Sequence, residues 1–213
     1  AWSGIGKLMN LSEANGMRDA FYFMAANRSR WEVGLDPNSL SVQSVIKELR
    51  YRGHEVGFHP GYFTYDDFDR FMLEKGRLDR ALNETKYGGR QHYLRFRVPI
   101  TWRLWEQAGL SYDSTMGYAD HEGFRCGTCY PYFPFDIEQN RQFEIIELPL
   151  IVMDGTINGY REISLEVAEK SIRTLANRCK SVHGDFTMLW HNNTHTGDWK
   201  PWFDMYRRLL SYL

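Results

Sequence analysis

Cysteine is scarce in this 213-residue chain: Cys126, Cys129 and Cys179 are odd in number and too few for a disulfide framework. Cys126 and Cys129 form a lone CxxC in "FRCGTCYP". A structural zinc takes four ligands, commonly from two such pairs, and a redox CxxC opens a helix, which Tyr130-Pro131 opposes; ordinary loop cysteines are expected. Net charge is scarce as well. A formal charge of −1 without a basic stripe leaves a phosphate backbone little to bind, so nucleic acid is not an expected partner. No apolar run approaches the roughly 18 residues that would span a membrane, and "AWSGIGKLMN" lacks the n-region and h-region of a signal peptide. It also lacks an initiator Met, which points to a chain processed or cut from something longer. Free cysteines favour a reducing, cytoplasmic setting slightly over export, with compartment and oligomeric state left open.

Aromatic residues are what the chain has in excess. Seven Trp, thirteen Tyr and thirteen Phe make up 15% of it, which serves either an aromatic-rich core or the holding of flat apolar ligands such as sugar rings. Hydrophobic residues at 43% and charged residues at 25% exclude a disordered or collagen-like chain. The length suits a single domain over 1–213.

The hydrophobic period switches repeatedly between strand and helix. "DAFYFMAA" (19–26) reads as a buried strand, and "LSVQSVIKELRYRG" (40–53) as a helix with Val42, Val45, Ile46 and Leu49 on one face and Gly53 at its end. "HEVGFH" is a strand, 66–89 a long helix opened by carboxylates and closed by a glycine pair, and "RQHYLRF" a strand again. "ITWRLWEQAG" is helical, "LSYDSTMGY" a short strand and turn, and "FEIIELPLIVMD" (143–154) one long strand or two. A helix over 164–184 with Ser164 as N-cap, a strand "DFTMLWHN" and a closing helix "DWKPWFDMYRRLLSYL" complete the chain. Such alternation predicts an α/β fold with a parallel sheet or β/α barrel, in which functional groups gather where strands end.

The histidines meet that rule. His59 closes "HEVGFH", His92 lies in "RQHYLRF", and His191 closes "DFTMLWH" ahead of Asn192, Asn193, Thr194 and His195. Imidazole is both the commonest metal ligand and the side chain suited to proton transfer near neutral pH. Arg90, Asp113, Asp154 and Arg125 accompany these histidines near predicted strand ends or loops, where a metal or hydrolytic site needs charge balance and orientation. Each also has an ordinary alternative as a surface or turn residue.

At these residues the chain resembles the NodB-like polysaccharide deacetylases, a carbohydrate esterase family, over about 17–195. "GHEVGFH" looks like that family's strand whose last histidine, here His59, ligates metal; "RQHYLRF" stands in the place of its arginine motif, which makes Arg90 the counterpart. "IIELPLIVMD" resembles the stretch carrying an acid, here Asp154, and "FTMLWHNN" the final strand ending in the catalytic histidine, here His191. With "YDSTMGY" and "GFRCGTCYP" the pattern looks most like a bacterial subgroup of these deacetylases.

The resemblance implies a distorted (β/α) barrel, a divalent metal, zinc, and an acetylated carbohydrate substrate. Phe63 stands where the usual second ligand would, and His92 is the expected substitute. No Asp-Asp or Asp-x-Asp motif precedes "AWSGIGKLMN", and Asp19 opens its strand instead of closing it, so the barrel's first strand is expected to be missing. The resemblance further implies metal-bound hydroxide attacking the acetyl carbonyl, His191 as general acid, Asp154 stabilising its imidazolium, and Arg90 orienting the base. Arg125, Tyr62 and Trp190, with Tyr130, are candidates for holding sugar; His54 and Glu55, at the start of their strand, are expected to be structural. Two alternatives stay open: a degenerate carbohydrate-binding domain on the same fold, and an amidohydrolase of small amides.

Overall fold

The computed structural model describes residues 2–213. Its elements in chain order are α1 Trp2–Ala14, β1 Ala20–Phe23, α2 Leu40–Tyr51, β2 Glu55–Phe58, α3 Phe68–Leu82, α4 Ile100–Gln107, β3 Tyr112–Asp113 and β4 Phe135–Asp136. There follow β5 Arg141–Gln142, β6 Ile146–Glu147, β7 Val152–Met153, α5 Leu165–Ser181, β8 Met188–Leu189 and α6 Lys200–Leu210. No helix among the described residues is long and apolar enough to cross a membrane. The chain divides into two compact units, one of Ala20–Met116 with Pro131–Pro149, the other of the residues up to Asp19 with Gly117–Tyr130 and Leu150–Leu213.

In the first unit β1 and β2 pair in parallel, with Phe23 opposite Phe58. Gly89 then bridges in parallel to Phe58 on one side and Asp113 on the other, and β3 pairs in parallel with β6. The row β1, β2, Gly89, β3, β6 is thus parallel throughout, with the antiparallel hairpin β4–β5 set apart from it. A side chain at Gly89 cannot be accommodated, because a Cβ there would stand 2.9 Å from the Phe58 carbonyl carbon. Phe58 is fully buried, its ring 5.3 Å from Phe71 and 6.4 Å from Trp105, and these three anchor the core under the row. The second unit pairs β7 with β8 in parallel, Val152 opposite Met188 and Met153 opposite Leu189. Ile157, Ile172, Met205 and Leu209 are buried beside them.

The α/β alternation agrees with the sequence, as do the helices at 40–51 and 165–181. Gly53 takes φ +78° just past α2, and Ser164 Oγ accepts from the Val167 N–H to cap α5. Two expectations are corrected, and a third is decided between its alternatives. The helix predicted over 66–89 stops at Leu82, where Asn83 adopts a left-handed conformation (φ 50°); the glycine pair beyond it is strand-like instead of a cap. "RQHYLRF" is not a strand: after Arg90 N bonds Phe58 O, Gln91 N is taken by Thr115 Oγ1 and His92–Leu94 closes a 3-10 turn with Tyr93 and Leu94 at positive φ. "FEIIELPLIVMD" is two short strands, and Pro149, which has no N–H for a ladder, lies in the break between β6 and β7. Among the described residues the strands form no closed sheet.

Candidate functional site

In the second unit, parallel pairing brings the C-terminal ends of β7 and β8 side by side, and Asp154 and His191 follow them. Asp154 is fully buried, and its carboxylate accepts three N–H groups: the His191 ring at 2.6 Å through Nδ1, the His191 backbone at 2.8 Å and Gly155 N at 2.7 Å. A buried carboxylate with these donors satisfied is fixed in orientation. Because the carboxylate takes Nδ1–H, the neutral imidazole carries its lone pair on Nε2, and the half-exposed ring (52%) is accessible to solvent. The arrangement can hold and transfer a proton at Nε2, with the carboxylate stabilising the imidazolium when it forms.

Arg125 and Trp190 belong to the same unit. Arg125 donates to the carbonyl of Gly117 at 2.9 Å, tying the 117–125 loop to itself. Trp190 stacks on Tyr206 of α6, with ring centroids 4.5 Å apart, and packs against the buried cluster of α5 and α6. The Tyr130 hydroxyl donates to the carbonyl of Val182. Cys129 and Cys179 are buried, and the Cys179 thiol is pushed up to about 12, first by burial and then by its contact with Cys129. A thiol so placed does not ionise near neutrality and is a packing residue.

The first unit gathers the other predicted residues. His59 follows β2, and its Nδ1 lies 2.7 Å from the carbonyl oxygen of Arg90. A carbonyl only accepts, so Nδ1 carries the proton and Nε2 the lone pair. The Arg90 side chain is buried, Nε donating to Ser114 O at 2.6 Å and its terminal nitrogen to Ser114 Oγ at 2.8 Å. Arg90 therefore positions His59 through its main chain while Ser114 holds its side chain. The 3-10 turn sets the His92 ring 5.0 Å from that of His59, centroid to centroid, at 65°. Two imidazoles sharing one tetrahedral zinc have ring centres about 5 Å apart, so this spacing suits a common ion. Phe63 is 46% exposed and packs on Tyr62.

Several groups escaped the sequence reading. The loop after His59 is held by two buried carboxylates, Gly61 N donating to Glu74 at 2.8 Å and Tyr62 N to Glu32 at 2.6 Å. Burial, ahead of the neighbouring Glu32 charge, raises Glu74 to about 7. Asp113 and Glu147 face each other in register across β3 and β6, both fully buried. Glu147 accepts from Trp102 Nε1 at 2.8 Å and Met116 N at 3.0 Å, and burial raises both acids, Asp113 to about 6 and Glu147 well above its ordinary value. With both ionised, Asp113 Oδ2 has no donor; a proton held by Glu147 supplies one. Asp113 stands out in the sequence as a strand-end carboxylate, but its partner Glu147 carries no signal beyond lying in a segment that reads as a strand.

No protein-family model and no curated protein matches the chain. Solved structures do. The chain has a polysaccharide deacetylase-like fold. It is similar to a "putative polysaccharide deacetylase" from Mycobacterium smegmatis, with a TM-score of 0.64 and 15% identity over 98% of this chain and 71% of that one. A second structure, described in the same words, involved in O-antigen biosynthesis and from Bordetella bronchiseptica, aligns with a TM-score of 0.47 and 13% identity over 98% of this chain and 74% of that one. At these identities the likeness is one of fold.

Proposed function

We propose that the chain is a hydrolase that removes an acetyl group from nitrogen or oxygen of a carbohydrate. The observation that carries the proposal is the Asp154–His191 pair, a buried carboxylate fixing an accessible imidazole at adjacent parallel strand ends. The fold likeness supports the substrate class. In this reading 1–213 acts as one polysaccharide-deacetylase-like domain, its strands those of a distorted (β/α) barrel.

His191 acts as general acid. As water adds to the acetyl carbonyl, a C–O bond forms; as the tetrahedral intermediate collapses, the C–N or C–O bond to the sugar breaks. His191 Nε2 gives its proton to the departing atom, and the proton lost by water restores the imidazolium over the cycle. Asp154 holds the ring in the productive tautomer and stabilises its charged form.

His59 and His92 would offer two imidazole donors to a divalent ion, zinc being the natural choice, which would activate water and polarise the carbonyl. Catalytic zinc takes three protein ligands, and among the described residues no group of three or more His, Cys, Asp or Glu is arranged to hold a metal. The donor set does not complete the centre.

Asp154→Asn tests the proposal. Its amide keeps the volume but not the charge, and acetate release from acetylated sugars should fall by about 10²–10⁴-fold while the variant stays folded. Release at the wild-type rate would overturn the reading.

A further inference from the structure

In the first unit, beside the His59–His92 pair, five side chains form one stack. The Arg30 guanidinium lies 4.4 Å from the Trp31 ring centre, and Trp31 stacks on Tyr62 at 4.3 Å with 6° between the planes. Arg95 covers the other partner, 3.9 Å from the Tyr62 centre and 4.2 Å from that of Tyr65. Tyr93, half exposed, meets both Trp31 and Tyr62 edge-on at 5.6 and 5.3 Å, and its ring lies 4.5 Å from His92. The stack is thereby joined to the imidazole pair.

The charges in this stack are not balanced by ion pairs. Nearby Arg70 and Arg97 lie 3.7 and 3.8 Å from Asp67 and Asp66. Neither Arg30 nor Arg95 has a carboxylate within ion-pair distance among the described residues. Glu32, the nearest buried acid in sequence, is turned to the backbone N–H of Tyr62 and to Ser29. Stacking occupies the faces of a guanidinium and leaves its in-plane N–H fork, which matches two oxygens of a carboxylate or phosphate. Aromatic packing also fixes both side chains in advance, which lowers the entropy cost of pairing with an anion.

We infer that the Arg30–Trp31–Tyr62–Arg95–Tyr65 stack is a binding site for an acidic sugar, one bearing a carboxylate or a phosphate, and that the carbohydrate acted on by this protein carries that group. The second half of the inference rests on the deacetylase reading; the first does not. The guanidinium forks engage the anion, and the exposed edges of Tyr93 and Trp31 contact the ring of the sugar.

Calorimetric titration tests it, with a glucuronate-containing disaccharide, a sugar phosphate, inorganic phosphate and a neutral N-acetylated oligosaccharide as probes. Wild type should bind the two acidic sugars at least tenfold more tightly than the neutral one, with affinity falling as salt rises. Arg95→Gln and Arg30→Gln should each remove most of that preference, and Arg95→Lys, which keeps charge without the planar fork, should restore only part of it. Arg30 is exposed, so its substitution leaves the fold intact if Arg95→Gln proves unstable. The glucuronate and sugar-phosphate arms separate the two sources of charge, and inorganic phosphate binding as tightly as the sugars would overturn the sugar component. Equal affinity for acidic and neutral sugars, or a preference unchanged in both variants, would overturn the inference. Acidic sugars bound through Arg30 and Arg95 with no acetate released from any acetylated sugar would sink the deacetylase reading and leave the binding site standing.

Discussion

His59 and His191 present the same chemical state by different means. A backbone carbonyl takes Nδ1–H of His59 and a buried carboxylate takes that of His191, so both rings carry the Nε2 lone pair when neutral. The carbonyl leaves its imidazole a neutral donor, which suits a metal ligand; the carboxylate favours the imidazolium, which suits an acid. If His59 and His92 hold a divalent ion, elemental analysis of His59→Ala and of His92→Ala should each show most of the wild-type metal lost. Metal content equal to wild type in both would exclude the pair as ligands. The residues were legible from sequence because strand-terminal position is readable from hydrophobic period. The partners were not: no pattern announces that Arg90 would act through its carbonyl, or that Ser114, 24 positions away, would hold its side chain.

At the level of elements, the row of parallel strands depends on Gly89, which bridges Phe58 and Asp113 where an ordinary strand would be too bulky. Gly89→Ala should destabilise the protein by about 2–4 kcal/mol, because the atoms in the way are the Phe58 backbone and cannot swing aside. Denaturant unfolding measures this, and a loss below about 0.5 kcal/mol would show that the row tolerates a side chain there. Helices were readable from their apolar faces and caps, as at Ser164. The "RQHYLRF" segment was misread since its alternating pattern is also that of a turn whose N–H groups are claimed from outside, by Thr115 at Gln91 and by Pro60 at His92. Long-range partners of that kind leave no local signature.

Across the whole molecule, two sets of carboxyls pull the pH dependence of stability in opposite directions. Asp136 is held down to about 2 by its hydrogen bonds with Arg103, so the stability it contributes is present above its unfolded value and lost as pH falls towards 2. Glu74 at about 7, and the Asp113–Glu147 pair with Asp113 at about 6, are raised by burial. Their stabilisation is complete below the unfolded values near 4 and is lost as pH rises through the folded ones. Unfolding free energy should therefore peak near the unfolded values, at about pH 4, and fall by a few kcal/mol by pH 8, with Glu74→Gln combined with Glu147→Gln flattening the fall. Stability rising from pH 5 to 8 would contradict the buried, proton-holding state of these acids. The α/β class was legible in the alternation of periods. How the strands pair, and that one row passes through a single glycine, was decided by contacts distant in sequence.

If His191 gives a proton to the leaving group, substrates that differ only in their need for that proton should respond differently to its loss. Acetate release by wild type and His191→Ala should be compared on an N-acetylated sugar and on an aryl acetate whose phenolate departs unaided. With His191 as general acid, the loss should be about 10²–10⁴-fold on the sugar amide and less than tenfold on the aryl ester. Equal losses on both substrates, or none on the amide, would rule out proton donation by His191.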